Sequence, residues 1–276
     1  MLITGAARGI GAALAERLHA RGARVALAGL EPDALAAVAA RCGDAPWWPC
    51  DVTDRAQVEA AVAGTVRALG GLDAVVANAG VAAQLPMIGG DPGVMERTMR
   101  VNVLGTYNTL SIAGPHIAHP RGYALAVASA AAAANLPLLG AYSASKAAVE
   151  ALGNTLRSEL RPYGARAGVA YFAELDTDMT SRGFGTRAAE TLLGSGTAIS
   201  RVSRVTPLKA GIDALERGIA WRSARVVAPW WVAAVLPARM LAQPVIDHVV
   251  QGRLREALEI ARDERVALTT EQPDVP

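Results

Sequence analysis

The chain has 276 residues, of which 52% are hydrophobic and 19% charged, and its net charge is +2. This composition supports a large buried core and excludes disorder as the main state, while the small charge excludes the basic surface that nucleic-acid binding requires. The two cysteines, Cys42 and Cys50, match no metal-ligand spacing and no disulfide framework, so no metal site is expected and both read as small buried hydrophobes in a reducing compartment.

Short apolar runs alternate with helical patterns along the chain. A very short strand is predicted at 2–4 and a helix at 9–21, with Ile10, Leu14 and Leu18 on one face and Gly22 as its stop. A buried strand follows at 24–28, and then a helix at 32–41 opened by Pro32. The pattern continues with a strand at 47–51, a helix at 54–69 ended by Gly70-Gly71, and an all-apolar strand at 72–78 of the kind found in parallel sheets. A helix at 93–116 is interrupted by Gly105. Strands at 123–129 and 167–172 flank a long helix at 142–163. An irregular stretch runs to about 204, before a helix at 207–217 and a last strand at 225–230. Repeated strand–helix alternation predicts an α/β fold, a doubly wound parallel sheet with helices on both faces.

Thr4 to Gly11 reads TGAARGIG between the first strand and the first helix. Gly5 permits a tight turn, and Gly9 and Gly11 permit close approach of backbone and helix to a pyrophosphate. The helix N-terminus, with Arg8 and Ile10 beside it, offers free N–H groups to phosphate oxygens. Further on, Tyr142 and Lys146 stand four apart on one helix and share a face. A nearby ammonium favours the phenolate and should lower the tyrosine pKa toward neutrality, which suits a general acid/base. Reduction of a carbonyl also gains from a second hydrogen-bond donor at its oxygen, and a serine can supply one.

The TGxxxGxG spacing resembles the short-chain dehydrogenase/reductase family, and the likeness extends over most of the chain. Asp51-Val52 follows the third strand where the family contacts the adenine. Ala77-Asn78-Ala79-Gly80 is similar to the family's NNAG element, and Val101-Asn102 with Gly105 to its VNxxG segment. Ser129 stands thirteen positions before Tyr142, the family's usual spacing, and Tyr142 with Lys146 forms YxxxK. The resemblance implies an oxidoreductase that transfers a hydride between a nicotinamide cofactor and an alcohol or ketone. Tyr142 would be its acid/base, Ser129 the holder of the carbonyl oxygen, and Lys146 the partner of the nicotinamide ribose. Asn102 would hold a water that links Lys146 to solvent. Gly5, Arg8, Gly9, Ile10, Gly11, Asp51, Val52, Asn78, Gly80, Tyr142, Lys146 and Thr177 would bind the cofactor. Residues 1–235 then form one dinucleotide-binding and catalytic domain, and 236–276 a helical extension of it. The family implies a homodimer or homotetramer. Two alternatives share the fold: an epimerase or dehydratase of the extended relatives, which usually carry TGxxGxxG and a larger substrate domain, and a non-catalytic dinucleotide sensor, which tends to lose the tyrosine or lysine.

The chain also departs from the family pattern. Only three residues precede Thr4, which suggests a start further upstream. Gly29 stands where NAD-preferring members carry aspartate, and Arg8 stands where some NADP-preferring members carry a base, so NADP(H) is expected, with NAD(H) as the alternative. Phe172-Ala173 replaces a proline-glycine pair, and Glu174 and Asp176 beside it read as solvated loop residues. Substrate identity is assigned to 178–206, where Arg182, Phe184 and Arg187 are candidates. About 45 residues follow Trp230 and become helical and charged over 245–265. With Trp221, Trp230 and Trp231 nearby, three readings compete in this order: a cap for an apolar substrate, a subunit contact, and a membrane-surface contact. No leader peptide and no run of about 18 apolar residues is visible, so a cytoplasmic location is expected.

Overall fold

The computed structural model describes residues 1–183, 186–194, 205–264 and 268–270, with the backbone alone at 181–183 and 193. Seven parallel strands form its sheet: β1 (Leu2–Thr4), β2 (Ala26–Gly29), β3 (Trp47–Pro49), β4 (Ala74–Ala77), β5 (Tyr123–Val127), β6 (Arg166–Phe172) and β7 (Arg225–Ala228). Their order is β3-β2-β1-β4-β5-β6-β7, so the direction of winding reverses between β1 and β4. Ligands of open α/β sheets bind beyond the carboxyl ends of the strands at such a switch point. The doubly wound sheet expected from the alternation is the observed one.

The strands are buried on both faces because their side chains alternate between two cores. Leu2, Val75, Ala77, Ala124, Ala126 and Val169 face one core. Ile3, Ala74, Val76, Tyr123, Leu125 and Ala170 face the other. Helices cover both faces: α1 (Gly9–Ala20), α2 (Pro32–Arg41), α3 (Arg55–Leu69), α4 (Pro92–Met99), α5 (Gly105–Ile117) and α6 (Gly140–Leu160). Local chemistry sets their ends. The Asp54 carboxylate accepts from the N–H groups of Ala56 and Gln57 at the start of α3, and Gly70, at φ +70°, closes it. Cys42 and Cys50 are both buried and unpaired.

Three features differ from the sequence expectation. Gly105 does not interrupt its helix, since its φ of −60° and ψ of −41° are helical. The irregularity lies just before it, a π-helical turn at Arg100–Leu104 centred on Asn102. Gly105 serves packing, because a Cβ there would come within 2.4 Å of Val52 Cγ2. Second, the stretch expected to be irregular contains α7 (Asp178–Gly183) and α8 (Arg187–Leu193). Phe184 and the side chain of Arg182 lie outside the described residues, and Arg187 is exposed. Third, after α9 (Leu208–Ala220) and α10 (Val232–Val235), the terminal helix α11 (Arg239–Asp263) begins six residues earlier than expected. Val250 and Ala257 of α11 are buried with Leu192 of α8. No helix among the described residues is long and apolar enough to cross a membrane.

Candidate active site

A cavity of about 340 Å³ runs along the carboxyl ends of the strands and across the switch point. At one end lie Gly29, Leu30, Glu31, Asp51 and Val52. In the middle are the phosphate-loop residues Gly5, Arg8, Gly9 and Ile10, faced by Asn78, Ala79 and Gly80. At the other end are Ser129, Tyr142, Lys146, Glu174 and Thr177. Of the sequence candidates, Gly11 and Asn102 are absent from the lining.

The phosphate loop has its shape for two reasons. Gly5 at φ +62° and Gly9 at φ +56° hold left-handed backbone that other residues adopt only under strain. Gly11 instead answers a packing need: a Cβ there would lie 2.2 Å from Gly5 O and 2.8 Å from Asn78 Nδ2. The expectation that Gly11 lets a ligand approach is thus corrected, since it lets the loop approach its own helix. Asn78 likewise holds the protein together, donating from Nδ2 to Thr4 O at 3.0 Å and Gly5 O at 3.2 Å. Thr4, to which the motif reading gave no role, accepts at Oγ1 from the N–H groups of Asn78 at 3.1 Å and Ala79 at 3.3 Å. These bonds pin β1 to the loop after β4 across the switch point. Thr177 faces Gly9, and a Cβ on Gly9 would lie 3.9 Å from its Cβ. Asp51 Oδ1 accepts from the Thr53 N–H at 2.8 Å.

At the far end, Ser129 follows β5 and caps a short 3₁₀ turn, its Oγ accepting from the Ala131 N–H at 3.1 Å. Tyr142 in the first turn of α6 shares a side-chain hydrogen bond with Ser129. One turn later Lys146 places Nζ 5.6 Å from the Tyr142 ring centroid and donates to Val127 O at 2.8 Å. Tyr142 and Lys146 are both buried. Burial pushes the Tyr142 hydroxyl up to about 12, with the Ser129 hydrogen bond pulling the other way, and burial draws Lys146 down to about 8. The expected lowering of the tyrosine pKa is therefore not found, because desolvation favours the neutral form of both groups.

Asn102 is fully buried in the π-helical turn, and its side chain is a clamp. Oδ1 accepts from the Val81 N–H at 2.8 Å, while Nδ2 donates to Val81 O and to Ser145 Oγ, each at 2.9 Å. Both amide donors are used within the protein. A Gly80 Cβ would stand 3.2 Å from Asn102 Oδ1 and 3.4 Å from Lys146 Nζ, so these two atoms flank one small space.

Sequence reasoning missed several cavity residues. Glu174 was read as solvated, yet it lines the cavity beside Phe172 and Ala173, and burial raises its carboxyl pKa. Asp176 is exposed, as expected. Trp231 lines the cavity whereas Trp230 is 81% exposed. Arg8 is held by partners from three parts of the chain. Its Nε meets Glu31 Oε1 at 3.1 Å, its Nη1 lies 3.8 Å from Asp178 Oδ2, and its Nη2 donates to Thr269 O at 2.9 Å. Glu31 is close in sequence to Gly29, which is the signal that could have found it. No sequence signal points to Thr269.

Residues 1–186 match the short chain dehydrogenase family. The chain belongs to the short-chain dehydrogenase/reductase family. A stretch of 183 residues is 37% identical to the glycine betaine reductase ATRR of Emericella nidulans, covering 64% of this chain but 14% of that much longer protein. The 2,5-dichloro-2,5-cyclohexadiene-1,4-diol dehydrogenase of Sphingobium indicum is 33% identical over 186 residues, or 66% of this chain and 74% of that one. Among solved structures, a short chain dehydrogenase from Mycobacterium paratuberculosis bound to NAD superposes with a TM-score of 0.69 at 26% identity, over 82% of this chain and 94% of that chain.

Proposed function

We propose that this protein is a nicotinamide-dependent oxidoreductase that interconverts an apolar secondary alcohol and its ketone, with Tyr142 as acid/base. One observation carries the reading. The Ser129 and Tyr142 hydroxyls are joined by a hydrogen bond at one end of a cavity whose middle is the glycine-rich loop at a helix N-terminus. The left-handed Gly9 in the cavity lining, and the run of the cavity across the switch point, fit a dinucleotide lying from Gly29 to Thr177. Arg8, Gly9 and Ile10 would hold its diphosphate, Asp51 and Val52 its adenine, and Lys146 and Thr177 its nicotinamide half. When bound, that group supplies or takes up hydride.

The protein's own residues handle the proton. In reduction Tyr142 donates its phenolic proton to the carbonyl oxygen, and Ser129 donates a hydrogen bond to the same oxygen. The Lys146 ammonium stabilises the phenolate left behind. Asn102 Oδ1 and Lys146 Nζ flank the space beside Gly80, which supports a water there that returns a proton toward Tyr142. The wall around Tyr142 is apolar, with Ala134, Leu136, Leu139, Leu192 and Trp231, and this favours an apolar substrate. Trp231 in that wall supports the cap reading of the tail. Gln84, Glu174, Asp178 and Thr180 add polar groups to the lining, and the Glu174 and Asp178 carboxyls disfavour anionic substrates.

Cofactor preference turns on Glu31. Gly29 in place of a ribose-binding acid, with Arg8 as a free cation, would favour a 2′-phosphate, and the NADP(H) expectation rests on both. The charge of Arg8 is answered by Glu31 and Asp178, and Glu31 itself lines the cavity beside Gly29. A carboxylate there repels a 2′-phosphate and accepts from a ribose hydroxyl, so our proposal moves to NAD(H), with NADP(H) as the alternative.

The test is Tyr142→Phe in a screen of cyclic and acyclic secondary alcohols with each cofactor. Turnover should fall at least about 100-fold, the scale of general acid/base catalysis, with cofactor affinity nearly unchanged. Turnover within a few-fold of wild type would reject the assignment.

A further inference from the structure

We infer that residues 268–270 of the C-terminal tail belong to the cofactor site, as a clasp that closes the crevice of the switch point over the diphosphate of a bound dinucleotide. The inference rests on the dinucleotide reading above. The two walls of that crevice are the loop after β1, which carries Arg8, and the loop after β4, which carries Ala82. The tail is hydrogen-bonded to both.

On the β4 side the Thr269 N–H donates to Ala82 O at 3.2 Å, and the Ala82 N–H donates to Thr269 Oγ1 at 3.1 Å. On the β1 side Arg8 Nη2 donates to Thr269 O at 2.9 Å and to Thr270 Oγ1. Thr269 is 2% exposed, a burial unusual for a threonine so near a chain end. Leu268 anchors the segment by packing on the cluster of Ala83, Leu85, Val94 and Ala141. Thr270 lines the cavity between the two walls.

These contacts have a geometric consequence. A segment that bridges the walls of the crevice stands over whatever the crevice holds. A dinucleotide running from Gly29 to Thr177 passes between Arg8 and the loop of Asn78 to Gly80, directly beneath the bridge. Its departure then requires the bonds of Thr269 or Thr270 to break first, so the clasp acts on dissociation. Arg8 is the catch: the same guanidinium grips the tail and faces the cavity.

The experiment is stopped-flow displacement of NADH and of NADPH from the full-length protein, followed by nucleotide fluorescence. Thr269→Val keeps the shape but removes the acceptor for the Ala82 N–H. Thr270→Val removes one partner of Arg8 at a less buried position and guards against a folding defect at 269. Each should speed cofactor dissociation roughly 5- to 10-fold, the scale of one or two lost hydrogen bonds, whereas Thr269→Ser, which keeps the hydroxyl, should dissociate like wild type. Wild-type dissociation rates in both valine variants would overturn the clasp alone. So would faster association at unchanged dissociation, which would make the tail a competitor of the cofactor. If the wild type binds neither dinucleotide, the dinucleotide reading and the clasp fail together.

Discussion

Lys146 enters a cavity wall with only a carbonyl, Val127 O, as its described hydrogen-bond partner. Its ammonium therefore lacks most of the solvation it has in water, and burial brings its titration down to about 8. In the proposed mechanism, reduction needs Tyr142 protonated and Lys146 charged. Because Tyr142 is pushed up to about 12, Lys146 loses its proton first as pH rises. Turnover in reduction should then be level below pH 8 and fall above it, and Lys146→Arg, charged throughout, should lose that falling limb. A profile of kcat from pH 6 to 10 reads this directly, and a wild-type profile level to pH 10 speaks against it. The same shifts act on stability. Between about 8 and 10.5 the unfolded chain holds a proton that folded Lys146 has lost, so this group stabilises the fold as pH rises through that window. Tyr142 acts in the opposite sense: its contribution is complete below 10 and is lost as pH rises to about 12.

The turn between β1 and α1 separates two uses of glycine. At Gly9 a side chain has room, with Thr177 at 3.9 Å, but the backbone is left-handed. At Gly11 the surroundings leave no room for a Cβ at all. Gly11→Ala should therefore destabilise the protein by about 1–3 kcal/mol, the scale of overpacking, read as a lower denaturation midpoint without cofactor. Gly9→Ala should cost about 1–2 kcal/mol for the strained φ and in addition weaken cofactor binding, since Gly9 lines the cavity and its methyl would come against Thr177. Equal stability of Gly11→Ala and wild type would contradict the packing role. The helix of Asn102 shows the same division. A π-helical turn is a rare device often found at functional sites, and here it turns the asparagine onto Val81 and Ser145. Nothing in the residue pattern of 92–117 distinguishes that turn from a regular helix. Its apolar spacing reads as helix throughout, and the only visible irregularity, Gly105, proved regular.

At the scale of the molecule, Arg8 gathers segments far apart in sequence: Glu31 after β2, Asp178 at the start of α7, and the tail at 269–270. In the proposed cofactor pose, this convergence decides how the end of the cavity at Gly29 treats charge. Glu31→Gln removes the carboxylate and leaves Arg8 with Asp178 as its one described carboxylate neighbour, beside Thr269 and Thr270. It should weaken NADH binding and strengthen NADPH binding, moving the ratio of their dissociation constants at least about tenfold toward NADPH, because phosphate–arginine pairs are charge-assisted. Titrations of both cofactors measure the ratio, and a wild type that already prefers NADPH rejects the assignment of Glu31. Trp230, Met240, Leu241 and Val245 remain strongly exposed near the start of α11, while Trp231 is turned into the cavity wall, so neighbouring tryptophans serve opposite sides.

The strand–helix alternation and the glycine-rich turn between β1 and α1 were legible in the chain alone, and the family resemblance singled out Asn102, Ser129, Tyr142 and Lys146 as the candidate site. They depend on local rules: periodicity, glycine at a turn, and fixed spacing along one helix or from a strand end to the next helix. The all-apolar strands announced a sheet buried on both faces, as follows when the helical crossovers of parallel strands cover both sides. What tertiary structure decided is of another kind. Burial set the direction of the Tyr142 and Lys146 shifts, because the solvent that remains around a side chain depends on every element packed over it. Packing assigned Gly11 to the loop's own backbone and Asn78 to Thr4 and Gly5. Glu174 became a cavity residue, Arg8 acquired Glu31, and Thr269 came to rest on Ala82, more than 180 residues away in the chain. No spacing rule in a sequence encodes a contact between a loop and a tail so distant, since it exists only once the sheet has brought the carboxyl ends of β1 and β4 side by side.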